Sequence, residues 1–155
     1  MRLDEAALVR WGSAIGASIT PPVLIGLSGP LGAGKSVLAR AIGAGAGVST
    51  TMPSPTYTLV QRYEGHEGRQ VVHLDLYRIE SADELQELGW DHLGDTDEIV
   101  LVEWPERAGD LLPPDHWLIE IDAPAEEPSL RDVEVRRVGS PPAIAGFPMS
   151  VSGSS

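Results

Sequence analysis

Apolar residues recur at three- or four-residue spacing through Ala7, Leu8, Trp11, Ile15 and Ile19. That period predicts an amphipathic helix over residues 4 to 19, with Trp11 as a core anchor. Asp4 suits its N-cap, and Asp4 with Glu5 suits the positive end of its dipole. Thr20-Pro21-Pro22 ends it, because a residue before proline avoids helical angles. The pattern then switches to a continuous apolar run, Val23-Leu24-Ile25-Gly26-Leu27-Ser28, which reads as a buried strand. Helical spacing returns from about residue 35 to 43 and stops at Gly43, Gly45 and Gly47.

Ser49 to Pro55 has no apolar period and reads as a loop. Thr56 to Tyr63 and Gln70 to Tyr77 are β-rich and flank the turn Glu64-Gly65-His66-Glu67-Gly68, so they predict a hairpin. Ser81 to Gly89 reads as a short helix, with Ser81 at the N-cap, Glu84 as its capping-box partner and Gly89 as the stop. Ile99-Val100-Leu101-Val102 is apolar throughout, hence a buried central strand with Glu103 at its C-terminal end and Trp104-Pro105 breaking it. Residues 117–121 and 133–138 predict two more strands. Residues 139–155, rich in Gly, Pro, Ser and Ala, predict a flexible C-terminal tail. Alternating strands and helices without an internal repeat give one α/β domain over residues 1–138: a central mixed β-sheet flanked by helices.

The chemistry concentrates between the first buried strand and the following helix. Gly29-Pro30-Leu31-Gly32-Ala33-Gly34-Lys35-Ser36 matches Gly-x-x-x-x-Gly-Lys-Ser, and strand, loop, helix is the P-loop arrangement. Gly29 and Gly34 allow backbone angles closed to residues with a Cβ. Gly32 and Ala33 keep the loop small around a phosphate chain. The loop N–H groups and the helix start form an anion site. Lys35 can reach β- and γ-phosphates, and the Ser36 hydroxyl can ligate Mg²⁺. A phosphate chain with Mg²⁺ is the ligand this pattern leads one to expect.

Such a loop needs an acid at a strand end to hold Mg²⁺ or orient water. Glu103 and Asp75 both end apolar runs, where ligands of open α/β sheets bind. Each also has a plainer reading as a solvated strand-end carboxylate. His66, His73, His92 and His116 show no metal-ligand spacing and read as structural or surface residues.

Composition narrows the partners. The 155 residues suit one domain, and a net charge of −12 argues against gripping naked nucleic acid by phosphate contacts. Without cysteine there are no disulfides, thiolate nucleophiles or Cys-type zinc sites. The apolar run 23–27 is too short to span a bilayer, and the acidic start Met1-Arg2-Leu3-Asp4-Glu5 lacks a signal-peptide core. The expectation is a soluble cytoplasmic protein with no membrane contact.

Five segments together resemble the TsaE (YjeE) family, P-loop ATPases of bacterial tRNA threonylcarbamoyladenosine synthesis. They are Leu31-Gly32-Ala33-Gly34-Lys35-Ser36, Ser54-Pro55-Thr56-Tyr57-Thr58-Leu59-Val60, His73-Leu74-Asp75-Leu76-Tyr77-Arg78, Glu87-Leu88-Gly89 and Leu101-Val102-Glu103-Trp104-Pro105. Their order and spacing are similar to the family from about residue 4 to 138. The resemblance implies weak ATP hydrolysis alone and docking on a complex of TsaB and TsaD. TsaD, not this chain, would transfer the threonylcarbamoyl group to adenosine 37 of ANN-decoding tRNAs, so tRNA would be met only through the complex. By position, Lys35 would hold phosphates, Ser36 and Glu103 would serve Mg²⁺, and Asp75 would support hydrolysis. Thr56 would act as a switch near the γ-phosphate, and Trp104 would pack beside the site. Two departures stand out: Ser36 where the family usually has Thr, and Pro30 where a polar residue, commonly Asp, is usual.

A small-molecule P-loop kinase is the alternative function. Such kinases carry an arginine-bearing lid, and here the charged residues of Asp91 to Pro114 are acidic except for Arg107, its only Lys or Arg. A nucleotide-sensing module without catalysis is a third reading, opposed by Asp75 and Glu103.

Overall fold

The apolar run at Val23–Ser28 becomes the middle strand of the sheet, buried on both faces. The structure, a computed structural model, describes residues 1–49, 60–93 and 97–144, without the His92 side chain. In chain order the elements are β1 (Arg2–Asp4), α1 (Glu5–Ser18), β2 (Val23–Ser28), α2 (Lys35–Gly45), β3 (Val60–Glu64), β4 (Gln70–Asp75), α3 (Ala82–Glu87), β5 (Glu98–Glu103), β6 (His116–Asp122) and β7 (Leu130–Val138). The sheet order is β1-β7-β6-β2-β5-β4-β3. The inner strands β6, β2, β5 and β4 are parallel, and β1, β7 and β3 pair antiparallel at the edges. This is the mixed α/β sheet expected. Among the described residues, no helix is long and apolar enough to cross a membrane.

Alternate residues of each inner strand feed two cores. Val23, Ile25 and Leu27 of β2, with Ile99 and Leu101 of β5, meet α1 and α2 on one face. Leu24, Val72, Leu74, Val100 and Val102 face the other side, under Leu85 of α3 and Trp90. Glycines bring α1 and α2 very close: a Cβ on Gly16 would stand 1.9 Å from the Ile42 carbonyl oxygen, and one on Gly45 would stand 2.0 Å from that of Ser13.

Several local expectations hold in detail. Asp4 caps α1 by accepting from the Ala7 N–H at 2.7 Å. Ser81 caps α3 by accepting from the Glu84 N–H, whereas the Glu84 carboxylate accepts from Glu80 rather than closing back on Ser81. Gly89 takes the left-handed conformation after α3. β4 pairs antiparallel with β3 as the expected hairpin, but stops at Asp75, not Tyr77. Asp75 ends it by accepting from the Tyr77 N–H at 2.9 Å, a local turn that competes with the ladder.

Two features depart from the sequence reading. Arg2–Asp4 forms an edge strand on β7, which no pattern in the sequence predicted, although Asp4 still caps α1 as expected. Residues 140–144, expected to be a flexible tail, instead pack on the body: Ile144 is buried in the α1/α2 core, and the Pro142 carbonyl accepts a 2.8 Å bond from the Trp117 indole. Residues 145–155 lie outside the described residues, as do 50–59, which carry Thr56 and most of the Ser-Pro-Thr-Tyr segment.

Candidate phosphate and metal site

The loop between β2 and α2 is shaped by backbone geometry before any side chain acts. Gly29 has φ +149, and a Cβ there would stand 2.1 Å from the Ile121 carbonyl oxygen, so the loop leaves β2 flush against the end of β6. Gly34 has φ +108 and is the N-cap of α2, with no side-chain cap bond. The N-cap therefore supplies no side chain to bond the first N–H groups of α2, which are left as candidates for an anion. Ala33 points inward and packs in the core, anchoring the loop, while Leu31 at its tip is 69% exposed.

Lys35 is only 5% exposed. Its Nζ donates to the Gly29 carbonyl at 2.5 Å and the Pro30 carbonyl at 2.9 Å, and lies 4.3 Å from the centre of the Trp104 ring. Burial pushes its pKa down, opposed by the charges of Glu103, Glu106 and Asp75. The Trp104 ring also meets the Tyr77 ring at 4.9 Å. Trp104 holds this place through a left-handed backbone, φ 60, unusual for a bulky residue and worth about 1–3 kcal/mol of strain. A bond from its N–H to the Leu27 carbonyl at 3.2 Å holds the turn.

Sheet register assembles the acids. Leu27 of β2 pairs with Glu103 of β5, and Glu103 pairs with Asp75 of β4, so both carboxylates end on one level beside the loop. Ser36 Oγ donates to Glu103, at 3.1 Å from Oε1 and 3.0 Å from Oε2. Glu103 is 3% exposed. Asp75 is half-buried, and burial raises its pKa, with Glu103 adding to the rise against the Tyr77 N–H, His73 and Lys35. A cavity of about 300 Å³ is lined by Gly32, Lys35, Ser36, Asp75, Glu103 and Trp104, among others. A roomier cavity of about 410 Å³ lies at the opposite end of β2, among Pro22, Trp90 and Pro113, away from these groups.

The structure thus brings Gly29, Leu31, Gly32, Ala33, Gly34, Lys35, Ser36, Asp75, Glu103 and Trp104 to one loop and its rim. Thr56 lies outside the described residues. Of the histidines, His66 is exposed, and His116 is buried, donating from Nδ1 to the Pro113 carbonyl at 2.8 Å. His73 is different: it is fully buried with Nε2 2.7 Å from Glu103 Oε2. Metal-ligand spacing could not find it, because it lies one strand over from its partner. Its alternation with Asp75 on β4 was the available signal.

The family model "Threonylcarbamoyl adenosine biosynthesis protein TsaE" matches residues 3–133. The chain belongs to the TsaE family. A TsaE of Haemophilus influenzae is 36% identical over 124 residues, 77% of this chain and 78% of that protein. A TsaE of Nostoc is 37% identical over 108 residues, 67% of this chain and 65% of that one. Both are named tRNA threonylcarbamoyladenosine biosynthesis proteins. Among solved structures, Bacillus subtilis YdiB superposes with a TM-score of 0.70 at 23% identity, covering 90% of this chain and 84% of that one, a likeness of fold. The matched span of the TsaE model contains the loop, Asp75 and Glu103.

Proposed function

We propose that this TsaE family member is a Mg²⁺-dependent ATPase that serves tRNA threonylcarbamoyladenosine synthesis in the cytoplasm, as an accessory to TsaB and TsaD counterparts rather than as the transferase. The observation that carries the reading is the meeting of Ser36 Oγ with the Glu103 carboxylate, beside Lys35 at an uncapped helix start.

The donor set fits the metal. A hydroxyl and a carboxylate within 3.1 Å of each other are hard oxygen ligands of the kind that would hold Mg²⁺. Bound there, Mg²⁺ would neutralise charge developing on the phosphate oxygens. The loop and first-turn N–H groups hold the phosphate chain. Lys35 exchanges the Gly29 and Pro30 carbonyls for β- and γ-phosphate oxygens. Asp75, whose raised pKa makes it a better proton acceptor than an ordinary carboxylate, orients the attacking water. Thr56 senses the γ-phosphate, and its loss on hydrolysis alters the surface offered to the partner complex. The tRNA is met only through that complex, in keeping with the chain's charge of −12.

The test is ATP hydrolysis by the purified chain, alone and with TsaB and TsaD, beside Glu103→Ala. Turnover raised by the partners and lost in the variant supports the reading. Turnover indifferent to partners but stimulated by a small hydroxylated acceptor would replace it with the kinase.

A further inference from the structure

His73 is the one buried side chain in contact with the site that the proposed ATPase scheme leaves without a task among the described residues. We infer that it is a positioning residue: its Nε2–H clamps Oε2 of Glu103 and so fixes the carboxylate whose two oxygens meet Ser36 and would face the metal. This rests on the nucleotide reading above and extends it to a residue behind the ligands.

The strand register makes the contact. Val71, His73 and Asp75 alternate onto the α2 face of β4, as Ile99, Leu101 and Glu103 do on β5. Asp75 pairs directly with Glu103, which puts His73 on the diagonal, one pleat deeper. A diagonal neighbour is within reach of a long side chain. The imidazole spans the gap, at 2.7 Å from Oε2.

The hydrogen-bond inventory fixes the direction. A carboxylate only accepts, so Nε2 carries the proton and donates. Nδ1 is buried with no partner among the described residues. Donating through Nε2, the ring holds Glu103 in place from behind. His73 is fully buried and does not line the cavity, so it acts through Glu103 and does not touch the reacting groups. A partner behind a ligating carboxylate typically tunes metal affinity by about 10–100-fold.

The experiment measures Mn²⁺ affinity of the full chain with ADP bound, by the electron paramagnetic resonance of free Mn²⁺, and ADP affinity in EDTA. Wild type, His73→Leu and His73→Gln are compared. His73→Leu should weaken Mn²⁺ binding about 10–100-fold while ADP affinity in EDTA stays at the wild-type value. His73→Gln, whose amide can donate to the same oxygen, should recover most of the loss. If His73→Leu does not fold, His73→Asn, too short to reach Oε2, carries the same expectation. Unchanged Mn²⁺ affinity in a folded variant lacking the donor overturns the inference alone. So does His73→Gln as weak as His73→Leu, which would make the ring mere packing. Failure of the wild type to bind ADP overturns the nucleotide reading and this one with it.

Discussion

Gly16→Ala sets two effects against each other, and the structure says which wins. In an exposed helix the exchange would stabilise by about 1 kcal/mol, because alanine restricts the unfolded chain more than glycine. Here a Cβ would stand 1.9 Å from the Ile42 carbonyl oxygen and 2.7 Å from the Ala46 nitrogen. Both obstructing atoms are α2 backbone, so no side chain can turn aside. The helices must part by at least about 1 Å, loosening Leu38 and Ile42 over Ile15. Overpacking costs about 1–3 kcal/mol, and a rigid obstruction belongs at or above the upper end. Set against the propensity gain, the net loss is about 2 kcal/mol. For a chain of this size that lowers the melting temperature by about 4–8 °C. Because α2 begins at Lys35, ADP affinity should fall as well. The assay is thermal unfolding by circular dichroism, with Gly45→Ala as the matching change on the facing helix. A melting temperature equal to or above wild type in Gly16→Ala would show that the helices can separate freely, and would refute the close-packing argument.

Other outcomes follow from the site. Lys35→Ala should abolish tight ATP binding, measured by calorimetry; normal affinity would mean the loop is not the site. Asp75→Asn should lose hydrolysis and yet melt higher than wild type at pH 8. The sign follows from the raised folded-state pKa: the buried carboxylate costs stability once pH exceeds its unfolded value, about 4, and the cost is complete above the folded value. The gain in the asparagine variant should therefore shrink as pH falls towards 4. Ile144→Ala should destabilise by about 2–4 kcal/mol in urea unfolding, since its side chain fills the α1/α2 core; no change would mean that residues 140–144 hang free.

The local signals in the chain were enough for most elements and for the chemistry. Asp4 and Ser81 read as caps because a cap is a bond to an N–H three residues away, wholly within the local sequence. Gly29 and Gly34 read as loop glycines because their φ values admit little else. Lys35 and Ser36 follow from motif spacing, and Asp75 and Glu103 from standing where apolar runs stop. The boundaries were less legible: β4 ends two residues before the expected Tyr77, because the Asp75 side chain captures the Tyr77 N–H.

What only the tertiary structure decided is which strands lie side by side. Register alone puts Glu103 between Leu27 and Asp75, and alone lets His73 reach Glu103 across 30 positions of sequence. No period or spacing encodes a contact between residues on neighbouring strands. The same holds for Arg2–Asp4, too short to read as a strand until β7 offers its edge. It holds for Ile144 too, whose Pro- and Gly-rich surroundings looked like a tail until Trp117 and the α1/α2 core received it. The sequence by itself determined the elements and the chemical groups, because those depend on near neighbours. The folded sheet decided how the groups meet, because that depends on distant ones.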